Sequence, residues 1–159
     1  CKHCNGHKST HNVFEELIVN PFIDNPSNHL YFHLYRYKHK DAKGETTISV
    51  LDLNDGERRL VDTRFEIGNK LQEALDEQLS KLNAYLQTPT VAKRNKLIGA
   101  VTNIMRQCLP ESQYAALCAT VLHSCDGYYS LKVGMQENGL WTQDMDNYDC
   151  ISRQICLYK

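Results

Sequence analysis

The spacing of apolar and polar positions changes part-way along the chain. From Leu30 to Tyr37, Leu30, Phe32 and Leu34 alternate with Tyr31, His33, Tyr35 and Tyr37, the two-residue period of a strand with one buried face. Asp41 to Gly44 reads as a turn, and Thr46 to Leu53 is rich in β-branched residues. Asn54-Asp55-Gly56 is a hairpin signal ahead of a third segment, Glu57 to Val61. These segments predict a short three-stranded antiparallel β-meander. Before it, residues 1–12 carry no periodicity and read as a tether. Val13 to Val19 is a short apolar run closed by Asn20-Pro21, and Asp24-Asn25-Pro26-Ser27 makes another turn.

Beyond residue 62 the period becomes helical. Ile67, Leu71, Leu75, Leu79, Leu82 and Leu86 recur every three or four residues, with Asp62 or Thr63 as cap and Thr88-Pro89 as stop. Thr90 caps a second helix carrying Ile98, Val101, Ile104, Met105 and Cys108 on one face. A third helix is expected from Pro110, with Tyr114, Leu117, Cys118, Val121 and Leu122 as its apolar stripe. Tyr128 to Met135 is a further segment, and a turn-rich acidic stretch, Asn138 to Asp149, leads to a short final helix capped by Asp149. The expected class is α+β: a β-meander in the N-terminal half followed by a disulfide-stapled helical bundle.

A length of 159 residues suits one domain, 1–159, with the tether and meander in 1–62 and the helical part in 63–159. A net charge of −1 removes any global attraction to nucleic acid or anionic lipid, so no specific nucleic acid partner is expected. No apolar run reaches the roughly 20 residues of a membrane span. A first residue of Cys rather than Met is read as a processed mature form or an excised domain.

Chemistry gathers in the cysteines. Of seven, Cys1 and Cys4 open the chain, and Cys108, Cys118, Cys125, Cys150 and Cys156 lie in its last third. Pairs split between the two ends predict either disulfides that tie start to end or a shared metal. The disulfide reading implies an extracellular or secretory-pathway lumenal location. In the metal reading, Cys1, Cys4, His7 and His11 form a candidate zinc set, since thiolate and imidazole suit zinc, although the spacing is shorter than in common fingers. A cysteine nucleophile would need a base within reach, and His123 lies near Cys118 and Cys125 in sequence without forming a known motif. No His-Glu-x-x-His, Gly-x-Ser-x-Gly, phosphate-loop or dinucleotide signature occurs, so no catalytic residue is assigned. Two acidic stretches, Asp52 to Glu57 and Asp144 to Asp149, are read as turns and caps rather than calcium loops. Tyr35 to Lys40, which interleaves aromatics with cations, is read as a solvent-facing edge strand.

Two stretches resemble saposin-like lipid-interacting proteins. Met105-Arg106-Gln107-Cys108-Leu109-Pro110, followed by Cys118, is similar to that family's inner segment. Asp149-Cys150-Ile151-Ser152-Arg153-Gln154-Ile155-Cys156 is similar to its closing segment, and the opening Cys-x2-Cys has the family's spacing. The resemblance covers under half of the chain. It implies bridges Cys1–Cys156, Cys4–Cys150 and Cys108–Cys118, which leaves Cys125 as the free thiol and the route for any covalent homodimer. It also implies a non-enzymatic secreted or lumenal binding protein that meets lipid or a membrane surface. The alternatives are a protein-interaction or receptor-binding module, and a zinc module built on the N-terminal cluster.

Overall fold

The computed structural model describes the chain from Lys2, with side chains from Asn5 to Lys159. Cys1 and the side chain of Cys4 lie outside the described residues. The elements run α1 (Lys2–Lys8), β1 (Leu30–His33), β2 (Arg36–His39), α2 (Ala42–Val50), α3 (Leu60–Gln87), α4 (Val91–Arg106), α5 (Ala115–Ser124), α6 (Asp126–Glu137) and α7 (Gln143–Gln154). Two compact units result: Cys1–Phe65 with Leu157–Lys159, and Glu66–Cys156.

The expected α+β class is corrected to a mainly helical chain, 61% helix, with one two-stranded antiparallel sheet. The single strand expected from Leu30 to Tyr37 is broken at Leu34 and Tyr35, and its two parts fall in β1 and β2, which pair in the register Leu30↔His39 to His33↔Arg36. The β-branched segment Thr46 to Leu53 is instead the second half of α2 and the turn that follows it. The reason lies just upstream. Asp41 is the N-cap and its carboxylate accepts the Gly44 backbone N–H at 2.8 Å, while the Thr47 hydroxyl donates to the Lys43 carbonyl at 2.7 Å. A good cap and a satisfied hydroxyl outweigh a weak strand preference. Gly44 is required there: a Cβ would stand 2.2 Å from the His29 carbonyl oxygen. The expected tether is also partly helical, as α1.

The first unit is organised by polar contacts. His29 Nδ1 meets Asp41 Oδ2 at 2.6 Å, Lys43 Nζ meets Asp24 Oδ2 at 2.6 Å, and the Val19 N–H donates to Thr47 Oγ1 at 2.8 Å. β1 and β2 are joined by Leu34 and Tyr35, both at positive φ (47° and 62°), the conformation a two-residue hairpin turn demands and one that costs non-glycine residues energy. Buried Arg64 supports that turn. Its guanidinium donates to the carbonyls of Tyr35 and Leu53 and to Asn54 Oδ1, and lies 4.7 Å from the Tyr37 ring centre. The Asn54 amide in turn exchanges two 2.9 Å hydrogen bonds with the Tyr37 backbone, as a strand residue would.

The second unit is an apolar bundle, and here the periodicity holds. Leu71, Leu75 and Leu82 from α3 meet Leu97, Val101, Ile104 and Met105 from α4, with Leu122, Leu131, Met135 and Met145 completing the core. Thr90 caps α4 by accepting the Lys93 N–H at 3.2 Å. α6 ends in a glycine-centred cap: Gly139 has φ +64°, the Leu140 N–H donates to the Met135 carbonyl at 2.8 Å, and Leu140 itself is buried. Gly134 lets α6 approach α3, since a Cβ there would sit 2.7 Å from Leu82 Cδ2. Several boundaries differ from expectation: α3 already starts at Leu60, so Asp62 and Thr63 lie inside it rather than capping it. α5 starts at Ala115, and the last helix is capped by Thr142, which accepts the Met145 N–H at 3.3 Å. Asp149 therefore lies inside α7 rather than at its start.

The disulfide staples are also corrected. None of Cys108, Cys118, Cys125, Cys150 and Cys156 is bridged, so Cys108–Cys118 and the pairings of Cys150 and Cys156 with Cys4 and Cys1 do not form. Apolar burial and helix packing hold these helices without covalent ties. Cys108 Sγ donates to the Ile104 carbonyl at 3.7 Å and Cys156 Sγ to the Ser152 carbonyl at 3.4 Å, each one turn back along the chain. Burial pushes the Cys108 and Cys118 thiols above their ordinary range, which makes them poor nucleophiles. Cys125 is unbridged as expected, but shares that state with the others.

Candidate metal centre

Among the described residues, one group of metal-binding side chains converges, and it lies wholly in the first unit. His7, Asp52 and Asp55 offer ligand atoms that all fall within 4.8 Å of one another. His7 comes from the last turn of α1, and the two aspartates from the turn that links α2 to α3. That turn is tightly built. Asp52 takes φ 46°, its N–H donates to the Ser49 carbonyl at 3.2 Å, and the Asp55 N–H donates to the Asp52 carbonyl at 3.3 Å. Aspartate tolerates this left-handed conformation better than most residues.

Asp55 has divided duties. Its Oδ1 accepts the backbone N–H groups of Glu57 and Arg58 at 2.8 and 3.3 Å, while Arg58 Nε stands 3.7 Å from Oδ2. The acidic run that looked like a turn is therefore a turn, and also one side of a ligand group. His7 is exposed and both aspartates are half-buried, so the group opens to solvent. Three ligands at about 2.0–2.2 Å from one tetrahedral zinc ion lie about 3.3–3.6 Å apart. Closing the group from its 4.8 Å limit takes about 1.2 Å, which an exposed imidazole supplies by turning about its side-chain bonds. One imidazole and two carboxylates suit zinc or manganese, and an ion so held can polarise an oxygen or a bound water.

Of the predicted Cys1, Cys4, His7, His11 set, the two histidines part ways. His11 does not join His7: its Nε2 pairs with the Glu16 carbonyl oxygen at 2.8 Å, and its Nδ1 stands 3.8 Å from Glu16 Oε2. Cys1 and the side chain of Cys4 fall outside the described residues. In the sequence His7 belongs to the N-terminal Cys/His set, and the two aspartates to an acidic turn. Some forty-five residues divide them, and no spacing rule links such distant positions.

A second constellation resembles a catalytic triad but cannot act as one. In the second unit His123 Nε2 lies 2.8 Å from Ser152 Oγ, and its Nδ1 lies 3.9 Å from Asp149 Oδ1. Ser152 is fully buried, and so is the His123 side chain. The Ser152 hydroxyl donates to the Asp149 carbonyl at 3.2 Å. Its proton is thereby committed away from the imidazole, which must be the donor in their shared bond. His123 Nδ1 is left buried without a hydrogen-bond partner. Burial pushes the imidazole down to about 4, so it is neutral near pH 7. Asp149 also accepts from the Tyr128 hydroxyl at 2.5 Å, Lys132 Nζ at 3.0 Å and Arg153 Nε at 3.0 Å. These bonds outweigh its burial and hold its carboxyl down at about 2. No substrate reaches this site; it is a polar lock among α5, α6 and α7.

The chain is similar to a Septu protein. It shares 36% identity over 146 residues with Septu protein PtuB of Bacillus thuringiensis, an alignment covering 91% of this chain and 56% of that protein. The chain thus spans little more than half the length of this curated relative. No protein-family model and no solved structure matches it. The relative and the unbridged cysteines together correct the expectation of a disulfide-bonded, lipid-binding protein of the extracellular space or secretory-pathway lumen. That location rested on a disulfide framework which these cysteines lack, and the relative is a bacterial Septu protein. No helix of the described residues is long and apolar enough to cross a membrane.

Proposed function

We propose that this chain is part of a Septu-type protein whose Cys1–Phe65 unit holds a divalent metal ion, with zinc as first candidate, and which works with protein partners. The observation that carries the metal reading is the convergence of His7, Asp52 and Asp55. Three ligands leave a fourth position of a tetrahedral ion open to water or to another protein group. The imidazole in the set supports zinc over magnesium or calcium, which favour all-oxygen ligands. Support for protein partners comes from large apolar side chains left in solvent in the same unit, among them Phe14 and Phe22.

Metal content decides the first part. The protein purified without chelator and measured by plasma mass spectrometry should retain roughly one zinc ion per chain. A chromophoric zinc competitor should extract it at least tenfold more readily from His7→Ala and from Asp52→Asn. A protein that takes up no metal, or variants that hold zinc as well as the parent, would reject the reading.

A further inference from the structure

The first unit carries a second surface feature, separate from the metal ligands. Residues 15–17 and one face of α2 enclose an open groove of about 620 Å³, walled by Glu15, Glu16, Leu17, Lys43, Glu45 and Val50 among others. The segment that forms its far wall is pinned along α2 at two points, by the Val19 N–H to Thr47 Oγ1 bond and by the Asp24–Lys43 pair. The groove is therefore a built feature and not a fold of loose chain.

Its chemistry is one-sided. Lys43, the cation in the wall, is already neutralised by Asp24 at 2.6 Å. Glu16 has His11 at 3.8 Å. Among the described residues, Glu15 and Glu45 have no cation within ion-pair distance. Leu17, in the groove wall, is 59% exposed, and the same segment leaves further apolar area in water: Phe14 is 93% exposed, Phe22 95% and Ile23 81%. Four large apolar side chains left in water within ten residues, next in the chain to an acidic groove, point to a recognition surface rather than to scattered surface residues.

We infer that this groove docks an amphipathic, lysine- or arginine-bearing helix of a protein partner. The apolar side of such a helix covers Phe14, Leu17 and Val50, and its cations meet Glu15, Glu16 and Glu45. The sign of the wall decides between occupants. Carboxylates repel nucleic acid and anionic bilayers alike, and they favour a basic peptide. The inference rests on the partner part of the proposed function and is independent of the metal.

The test uses the full chain and a labelled 14-residue amphipathic peptide of leucine and lysine, with a leucine–glutamate peptide as control, read by fluorescence anisotropy. The lysine peptide should bind, and weaken at least tenfold for the E15Q/E16Q/E45Q triple variant. Raising the salt from 50 to 300 mM should weaken it further, and Leu17→Ser should weaken it with the charges intact. The glutamate peptide should not bind. Equal binding of the lysine peptide to parent and triple variant, or no binding at all, would overturn the inference. So would self-association in light scattering that Phe22→Ser abolishes, which assigns the face to a second copy. Flotation on neutral phosphatidylcholine vesicles would overturn it too, by assigning the face to lipid. Zinc content measured on the same samples keeps the two readings apart, because the groove variants leave His7, Asp52 and Asp55 untouched.

Discussion

The two units of this chain reach order by different physical routes. In Glu66–Cys156 the interior is apolar, with Leu75, Val101, Leu122, Leu131 and Met135 fully withdrawn from water. One polar lock, around Asp149, is set into that core. In Cys1–Phe65 the buried positions include Val19 and Leu30, but also Thr47 and Arg64, and single polar groups join distant segments. Apolar burial is non-directional and tolerates small shifts, whereas hydrogen bonds to backbone carbonyls fix positions. The unit that carries the candidate ligands is the one held by directional bonds, which suits a site whose ligand atoms must be placed to within half an ångström.

Core truncation should give the largest effect. Leu122→Ala removes a fully buried side chain from the bundle and should cost about 4 kcal/mol. Urea unfolding followed by the fluorescence of Trp141, the one tryptophan of the chain and a neighbour of this core, measures it. A loss under 1 kcal/mol would mean the interior is not packed as described.

Next comes the organising cation of the other unit. Arg64→Ala removes a donor from the carbonyls of Tyr35 and Leu53 and takes a packing partner from Tyr37, at a cost of roughly 3 kcal/mol. Hydrogen exchange read by mass spectrometry should quicken in β1, β2 and α2 and stay unchanged in α4 to α7. Arg64→Lys should not restore protection, because an ammonium cannot reproduce the planar fork. Exchange that quickens evenly through both units would erase the distinction drawn above.

Acid should act on the second unit with a smaller effect. The neutral His123 of the folded state, with a pKa near 4 against an ordinary 6.5, binds its proton less readily than the unfolded chain does. Stability is complete above about pH 6.5 and falls as pH drops toward 4, by on the order of 2 kcal/mol. Below about pH 4, Asp149 adds a second decline of the same sign as its carboxyl is protonated toward its folded value of about 2. The Trp141 urea midpoint followed from pH 7.5 to 4 should show the first step, and His123→Gln should flatten it. A parent profile as flat as the variant's would remove His123 from the lock.

The sequence by itself determined the bundle. Leucines at three- and four-residue spacing, the Thr90 cap and the Thr88-Pro89 stop are local facts, and local hydrogen bonding plus one apolar stripe suffice to make helices of them. The strand read from Leu30 to Tyr37 was legible only in its first half, because Leu34 and Tyr35 turn the chain back on itself. What local pattern could not settle was decided in three dimensions. Thr46 to Leu53 reads as strand until Asp41 caps it and the His29 carbonyl presses against Gly44. Asp149 reads as a helix cap until Tyr128, Lys132 and Arg153 close on it inside α7. Cysteines at both ends read as staples, but buried thiols turned to carbonyls one helical turn back need no partner sulfur. The ligand group is the clearest case. His7 and the two aspartates acquire meaning only when α1 and the α2–α3 turn are brought together, because metal chemistry depends on separation in space and sequence reports separation along the chain.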